Sequence, residues 1–273
     1  MNKEIKEYQT LLQNDLIVNA HTGLPLSPTT TKTRLSDLAS LSRIDLDSNL
    51  KEELLKNYSG ATAEKLFTLV KTVARQFKLK LDPETVRYKA PAKRVETFSP
   101  AQVAYIIENY KSLRGRLNRP HLKRILDIMV VALTTGARIG DIQSWTQDNL
   151  VEINDQIWLS YVSMKTGTPV ELPVQDIALG IFVRYKHTGF LMPKIDSNSN
   201  NHLRDVVLKI PILKKSYPFA HIHFLRGSCV TYLLSKGAPE YVVKSITGHT
   251  QDSKSFRRYV TAHKEEKLKY ITF

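Results

Sequence analysis

The sequence predicts a mainly α-helical protein with one small antiparallel β-sheet, divided into two domains. Most of the chain carries apolar residues at helical spacing, as at Leu66, Leu69 and Val73. Between residues 149 and 175 the apolar period changes from 3.6 to 2, which is typical of strands. From Pro83 to Ser99 neither period is present. These three observations predict a helical first domain, a linker, and a larger second domain that contains the sheet.

The charge balance indicates a polyanionic partner. The 273 residues include 40 Lys and Arg against 26 Asp and Glu, a formal net charge of +14. Each phosphate that a cation neutralises releases a condensed counterion, so a surplus of this size favours nucleic acid. The alternative is that the basic charge serves only solubility. Apolar residues at 42% and charged residues at 24% are typical of a folded globular protein.

Cysteine usage and hydropathy exclude several classes of protein. The single cysteine, Cys229, excludes an intramolecular disulfide and a multi-cysteine zinc site, and its apolar surroundings predict a small core residue. The segment from Met1 to Glu7 lacks the apolar core of a secretory signal, and no stretch approaches the length of a membrane span. We therefore expect no membrane partner and a location in the cytoplasm, at the nucleoid.

Residues 1–90 are predicted to form an all-α domain. Ser27-Pro28 combines an N-cap with a proline at the first helical position, which marks a helix start. Basic positions such as Lys32 and Arg34 suit a DNA-contacting surface, although a plain helical bundle with a solvated charged face explains them equally well. The expected helices run from Thr29 to Ser42, from Ser48 to Tyr58 and onward from Thr62, with Gly60 between the last two.

A basic linker is predicted at about residues 83–98, and the second domain should cover residues 95–273. Ser99-Pro100 starts a capped helix that should reach Tyr110. Pro120 opens the most apolar helix, which Gly136 ends, and we expect this helix to be the buried core. Further helices are expected over 175–187, 200–210, 223–235 and 240–246.

Three short strands are predicted over 150–153, 157–163 and 169–174. Asn154-Asp155 supplies the first turn, and Thr166-Gly167-Thr168 supplies the second. The second turn places Lys165 at the mouth of a hairpin.

The chain carries groups that can cleave a phosphodiester without a metal. Such a reaction needs cations on the non-bridging oxygens, a nucleophile, and an acid for the leaving oxygen. Arg138 and Arg226 can bind phosphate bidentately, and His223 lies three residues before Arg226 on the same helix face. Each also has an ordinary explanation, as a structural ion pair for Arg138 and a surface pair for the other two.

The nucleophile and the acid have candidates as well. Tyr259 is the candidate nucleophile, with a phenol pKa that the adjacent Arg257 and Arg258 can lower. Lys165 is the candidate acid if its surroundings lower its pKa, although it also fits a solvated turn. Gly248-His249 equally fits a helix C-cap with a satisfied histidine. We find no metal-ligand spacing and no phosphate-binding glycine loop, so no cofactor is expected.

The order and spacing of these residues resemble the catalytic domain of the tyrosine recombinase (phage integrase) family. In that family a T-G-x-R-x-x-E/D motif precedes a hairpin lysine, an H-x-x-R motif, a G-H pair and a tyrosine about ten residues further on. The matching residues are Thr135-Gly136-Ala137-Arg138 with Asp141, then Lys165, His223 and Arg226, Gly248-His249, and Tyr259.

The resemblance implies a two-domain DNA clamp, in which an all-α core-binding domain precedes an integrase-like catalytic domain. It implies site-specific recombination through a covalent 3′-phosphotyrosyl intermediate, integrating or excising a mobile element. It also implies double-stranded DNA with specific core sites, a homotetramer on paired sites, and accessory DNA-bending proteins as partners. The N-terminal region is expected to be too short for an additional arm-site DNA-binding domain, unless residues 1–20 act as a small substitute. The implied catalytic residues are Arg138, Lys165, His223, Arg226, His249 and the nucleophile Tyr259.

Three positions depart from the usual family pattern. Phe224 follows His223 where Asp is common, Gly227-Ser228 follow Arg226 where His-Thr is common, and Thr247 precedes Gly248 where Leu is common. Two other functions remain open, namely DNA relaxation like that of type IB topoisomerases and a non-catalytic DNA-binding accessory role.

Overall fold

In a computed structural model the chain forms two compact units, Met1–Lys93 and Arg94–Phe273. No helix in the described part of the chain is both long and apolar enough to cross a membrane. The structure describes residues 2–19, 23–44, 50–58, 60–82, 87–90 and 96–262.

The described residues of the first unit form helices that pack around one apolar core. Leu38 and Leu41 of the second helix and Leu66 and Val70 of the fourth are buried in it. Val18 and Pro25 form an isolated antiparallel bridge between the first two helices in the chain. The helices are α1 (Asn2–Gln13), α2 (Pro28–Leu41), α3 (Leu50–Asn57) and α4 (Gly60–Gln76).

The predicted start of α2 is confirmed, because the Ser27 side chain accepts a hydrogen bond from the backbone N–H of Thr30. The predicted start of α4 at Thr62 is wrong, since α4 begins at Gly60. The expected start at Ser48 lies outside the described residues. Helix α1 was not predicted, although its buried residues follow a helical spacing.

The second unit contains most of the helices and the sheet. Its helices are α5 (Pro100–Glu108), α6 (Tyr110–Arg116), α7 (Pro120–Thr135), α8 (Ile139–Ile142), α9 (Asp176–Tyr185), α10 (Ser199–Lys209), α11 (Ile222–Ser235), α12 (Glu240–Thr247) and α13 (Lys254–Ala262). Its strands are β1 (Leu150–Ile153), β2 (Gln156–Val162) and β3 (Pro169–Pro173).

Helix α7 is the central core helix, as predicted. Eleven of its residues are buried, and it packs against α10 and α11. Pro120 stands in its first turn, and Gly136 ends it in the left-handed conformation with φ 63°. The buried carboxylate of Asp127 accepts hydrogen bonds from Arg114 of α6 and from Tyr185 of α9. These bonds tie the middle of α7 to α6 and α9.

The sheet has the predicted strands and turns. Its order is β1-β2-β3, and both pairs are antiparallel. Asn154 and Asp155 form the first turn with positive φ, and Gly167 takes φ 63° in the second. Leu159 and Tyr161 of β2 face the core, as the alternation of the strand requires.

Several features of the second unit were not predicted. The helix from Pro100 ends at Glu108 and α6 starts at Tyr110, so it does not run continuously to Tyr110. A 3₁₀ helix occupies Pro211–Phe219. Helix α13 (Lys254–Ala262), which carries Tyr259, was not among the expected helices.

Candidate active site

Arg138 is held at the junction between α7 and the sheet. It is the extended N-cap residue of α8, with φ −72° and ψ 147°. Its Nη1 donates to Ser163 Oγ at 2.8 Å, and 18% of its side chain is exposed. One side of the guanidinium is therefore held by Ser163, which directly follows β2, and part of the side chain is exposed.

Asp141 joins this arginine to the hairpin. Its side chain is 2% exposed, and its Oδ2 lies 3.9 Å from Nη1 of Arg138. Its Oδ1 accepts from the backbone N–H of Met164 at 2.9 Å, and its Oδ2 accepts from the Ser163 hydroxyl at 3.1 Å. One buried carboxylate thus neutralises the arginine and fixes the backbone that leads into Lys165.

Lys165 lies in the tight turn between β2 and β3. The N–H of Gly167 donates to the carbonyl of Ser163 at 2.8 Å, which closes the turn. Lys165 is exposed, as a group that must reach a bound ligand would be.

Arg226 is the most buried cation of the site. Its Nη1 donates to the carbonyls of Gly136 and Thr247, and its Nη2 lies 3.1 Å from Nδ1 of His249. The Arg226 pKa is lowered to about 10, first by burial and then by the charge of Arg138. The guanidinium therefore joins the end of α7 to the end of α12.

His249 follows the left-handed cap Gly248 and is buried. Its pKa is lowered to about 3, first by burial and then by Arg226, Arg138 and Lys244. A guanidinium can only donate hydrogen bonds, so Nδ1 of the neutral ring accepts from Arg226 and Nε2 carries the proton. The Thr247 hydroxyl also contacts Nδ1, at 2.7 Å. The Gly248-His249 pair thus caps a helix and also brings His249 into contact with Arg226, near the charge of Arg138.

His223 lies on α11, three residues before Arg226. Partial burial lowers its pKa, and the charges of Lys165, Arg226 and Arg138 lower it further. These electrostatic interactions place His223 and Lys165 in the same positive environment as the two arginines.

Tyr259 lies on α13, which is anchored by the buried Phe256 against Val230 and Val243. Its ring centroid is 6.2 Å from that of His249. Burial raises the Tyr259 pKa, and Arg226, Arg258 and Arg138 offset only part of this rise. The expectation of a lowered phenol pKa is therefore wrong.

The two arginines that precede Tyr259 are placed differently. The Arg257 side chain is 71% exposed and lies 3.8 Å from Asp252. Arg258 is among the charges that lower the Tyr259 pKa against the effect of burial.

The departures from the family pattern at Phe224 and Ser228 are accommodated by packing. The Phe224 ring meets that of Phe98 edge-on at 4.5 Å. The Ser228 hydroxyl accepts from the backbone N–H of Phe98 at 2.9 Å. Both residues thus fix the segment that enters α5. Cys229 is fully buried, as predicted.

All six candidate residues lie in the second unit. Hydrogen bonds and ring contacts join Arg226, His249 and Tyr259, whereas His223 and Lys165 share only their electrostatic environment. Sequence reasoning did not predict the supporting contacts of Ser163 or of the Thr247 and Gly136 carbonyls. The departure at position 247 and the place of Gly136 in the motif before Arg138 were the only signals near them in the sequence. Among the described residues, no group of three or more His, Cys, Asp or Glu side chains could hold a metal ion.

The first unit has a groove between α2 and α4. Lys65 donates to Asp37 at 2.8 Å across it, and Arg34 donates to the Tyr8 hydroxyl at 2.9 Å. The groove is lined by threonines and one leucine together with these charged side chains, at Thr29, Thr30, Thr33, Arg34, Asp37, Lys65, Thr68, Leu69 and Thr72.

Solved structures of DNA recombinases share this fold. A Tn1549 transposon integrase in complex with a circular intermediate DNA matches 96% of this chain and 99% of its own, with TM-score 0.65 and 17% identity. A lambda integrase dimer bound to a COC′ core site covers 95% of this chain and 76% of its own, with TM-score 0.64 and 14% identity. A lambda integrase tetramer bound to a Holliday junction covers 92% and 78%, with TM-score 0.63 and 16% identity. No curated protein sequence matches the chain.

The second unit has an integrase-like catalytic fold, mainly helical with a three-stranded antiparallel sheet. The sequence profile described as the phage integrase family matches residues 96–266. The chain belongs to the phage integrase family, the tyrosine recombinases.

Proposed function

We propose that this protein is a site-specific DNA recombinase that cleaves and rejoins DNA through a covalent 3′-phosphotyrosyl intermediate. The observation that carries the proposal is the cluster of Arg138, Arg226, His249 and Tyr259 in one unit of one chain. Two guanidiniums, a neutral imidazole and a phenol in this arrangement suit one phosphodiester and its attacking group.

In the proposed reaction, Tyr259 Oη forms a bond to the scissile phosphorus while the bond to the 5′ oxygen breaks. Lys165 gives a proton to the departing 5′ oxygen. Because burial raises the Tyr259 pKa, its proton must leave as the new bond forms. A neutral His223, whose pKa is lowered, can accept that proton.

Arg138 and Arg226 stabilise the negative charge that develops on the non-bridging oxygens. Both are held by protein contacts before DNA binds, so little reorganisation is needed during the reaction. The Nε2–H of His249 adds one neutral donor, which its depressed pKa keeps neutral at physiological pH. Loss of one such preorganised donor costs about 3–4 kcal/mol of transition-state stabilisation.

The second step reverses the first. The free 5′ hydroxyl of a partner strand attacks the phosphotyrosyl bond, so the energy of the phosphodiester is conserved and no cofactor is consumed. A structural neighbour is a tetramer on a Holliday junction. We propose the same assembly here, with the helical first unit and the catalytic unit both contacting the duplex.

DNA contact by the first unit is supported by the threonine-lined groove between α2 and α4. Hydroxyls and basic side chains are common partners of phosphate oxygens and sugars. Together with the net charge of +14, the groove favours duplex DNA over a small-molecule ligand.

A nicked suicide substrate tests the proposal. Its cleavage releases a short fragment, so the covalent adduct cannot be religated and accumulates. The wild-type protein should form an adduct, and Tyr259→Phe should bind the same DNA with unchanged affinity and form none. Adduct formation by Tyr259→Phe would contradict the nucleophile assignment. Relaxation of a supercoiled plasmid that carries a single site, without strand exchange between paired sites, would instead indicate a topoisomerase-like enzyme.

A further inference from the structure

A glycine occupies the point where the candidate nucleophile meets α11. An ideal Cβ placed on Gly227 would lie 2.7 Å from Cε1 and 3.3 Å from Cζ of Tyr259. It would also lie 3.2 Å from Cγ2 of Thr97. The first distance is shorter than real Cβ contacts, so one of the groups would have to move.

The backbone of α11 does not itself require this glycine. Gly227 is the sixth residue of a regular 14-residue helix and does not have a positive φ. Glycine inside a helix is less favourable than alanine because it loses more conformational freedom on folding. The close approach of Tyr259 is therefore the feature that explains the missing side chain.

The ring of Tyr259 has little freedom to shift away. Phe256, one helical turn earlier on α13, is fully buried against Val230 of α11. The ring of His249 lies 5.3 Å from that of Phe256 and 6.2 Å from that of Tyr259, measured between centroids. A side chain at position 227 would thus push the ring against groups that are already packed.

Gly227 also stands next to Arg226 in the sequence. The Cζ atom of Tyr259, which bears the phenol oxygen, is one of the atoms that approach it. Arg226 is the largest of the charges that act on this phenol. The bare Cα of Gly227 therefore lets the phenol lie beside the buried guanidinium.

We propose that Gly227 is a positioning residue. Because it has no side chain, the Tyr259 ring can pack directly against α11, and this packing holds the phenol oxygen beside Arg226 for attack on phosphorus. This inference rests on the proposed function. It concerns one of the positions at which the chain departs from the usual family pattern.

Gly227→Ala tests the positioning role of Gly227 in single-turnover cleavage of the nicked substrate at saturating protein. We expect cleavage to slow by about 10- to 100-fold, since a misplacement of about 1 Å costs this much in an oriented reaction. The protein concentration that half-saturates the DNA should not change. The matched control is Gly180→Ala in α9, where an added Cβ meets nothing within 4 Å, and it should cleave at the wild-type rate.

A second measurement separates a displaced tyrosine from a general loss of structure. The rate of tyrosine nitration, resolved by peptide mass spectrometry, should rise at Tyr259 in Gly227→Ala and stay unchanged at the buried Tyr161. Faster nitration at both tyrosines would show general unfolding and would overturn the inference. Cleavage and Tyr259 nitration at the wild-type rates in Gly227→Ala would also overturn it. Failure of the wild-type protein to form any adduct would reject the proposed function. The nitration assay would still show whether Gly227 determines the position of Tyr259.

Discussion

Asp141→Ala should strongly destabilise the second unit. The substitution leaves the Met164 N–H and the Ser163 hydroxyl without their acceptor, and Arg138 without its buried counter-charge. Each hydrogen bond to a charged acceptor is worth about 1.5–3 kcal/mol. Loss of one partner of a buried ion pair costs about 3–5 kcal/mol, and these contributions overlap. We therefore expect the free energy of unfolding to fall by about 3–5 kcal/mol.

Asp141→Asn separates the charge from the hydrogen bonds. Its amide oxygen can still accept from Met164, and its amide nitrogen can donate to the Ser163 hydroxyl, which accepts as well as donates. Only the charge opposite Arg138 is then lost. We expect a smaller decrease of about 1–2 kcal/mol.

Urea unfolding followed by tryptophan fluorescence measures both variants. The two tryptophans, Trp145 and Trp158, lie in the second unit, so the signal reports on that unit. Asp148→Ala is the control, because Asp148 is exposed and accepts one hydrogen bond at the surface, from the Thr146 hydroxyl at 3.3 Å. A decrease below about 1 kcal/mol for Asp141→Ala would refute the anchoring role of the carboxylate, since a surface substitution changes stability by about 0.5 kcal/mol.

Two further predictions concern the acid and the buried imidazole. Lys165→Ala should slow cleavage of ordinary DNA by about 10²- to 10⁴-fold. A 5′-bridging sulfur in place of oxygen should restore the rate, because a thiolate leaves without a proton; no restoration would contradict the acid role. His249 has a folded pKa of about 3, below an unfolded value of about 6.5. Between these two pH values only the unfolded state binds this proton. The free energy of unfolding of the second unit should therefore fall by up to about 1.4 kcal/mol per pH unit as the pH falls from 6.5 towards 3. Urea unfolding at pH 7 and pH 5 should show a smaller loss of stability at the lower pH for His249→Gln than for the wild-type protein. An equal loss of stability in both proteins would reject this explanation.

The elements that the sequence predicted well are those with local signals at their ends. Ser27-Pro28, Ser99-Pro100 and the Pro120–Gly136 pair mark helix termini through contacts within one turn. The strands follow from an alternation that a half-buried sheet face requires. The start of α4 was missed because Gly60 can begin a helix as well as interrupt one.

The supporting contacts of the site could not be predicted because they join distant parts of the chain. The Arg226 guanidinium contacts the carbonyls of Gly136 and Thr247, 90 and 21 residues away. The Tyr259 pKa depends on how deeply α13 is buried, which the neighbouring arginines do not reveal. The glycine at position 227 has a local meaning only as a weak helix residue, and its contact with Tyr259 exists only in the folded unit.

The central claim is that the phenol of Tyr259 attacks a DNA phosphate that Arg138 and Arg226 bind. Peptide mass spectrometry of the trapped protein–DNA adduct tests it most directly, after the DNA is digested to a short nucleotide remnant. The account predicts a remnant joined through its 3′ phosphate to Tyr259 and to no other residue. A remnant on any other side chain, or one joined through a 5′ phosphate, would contradict it.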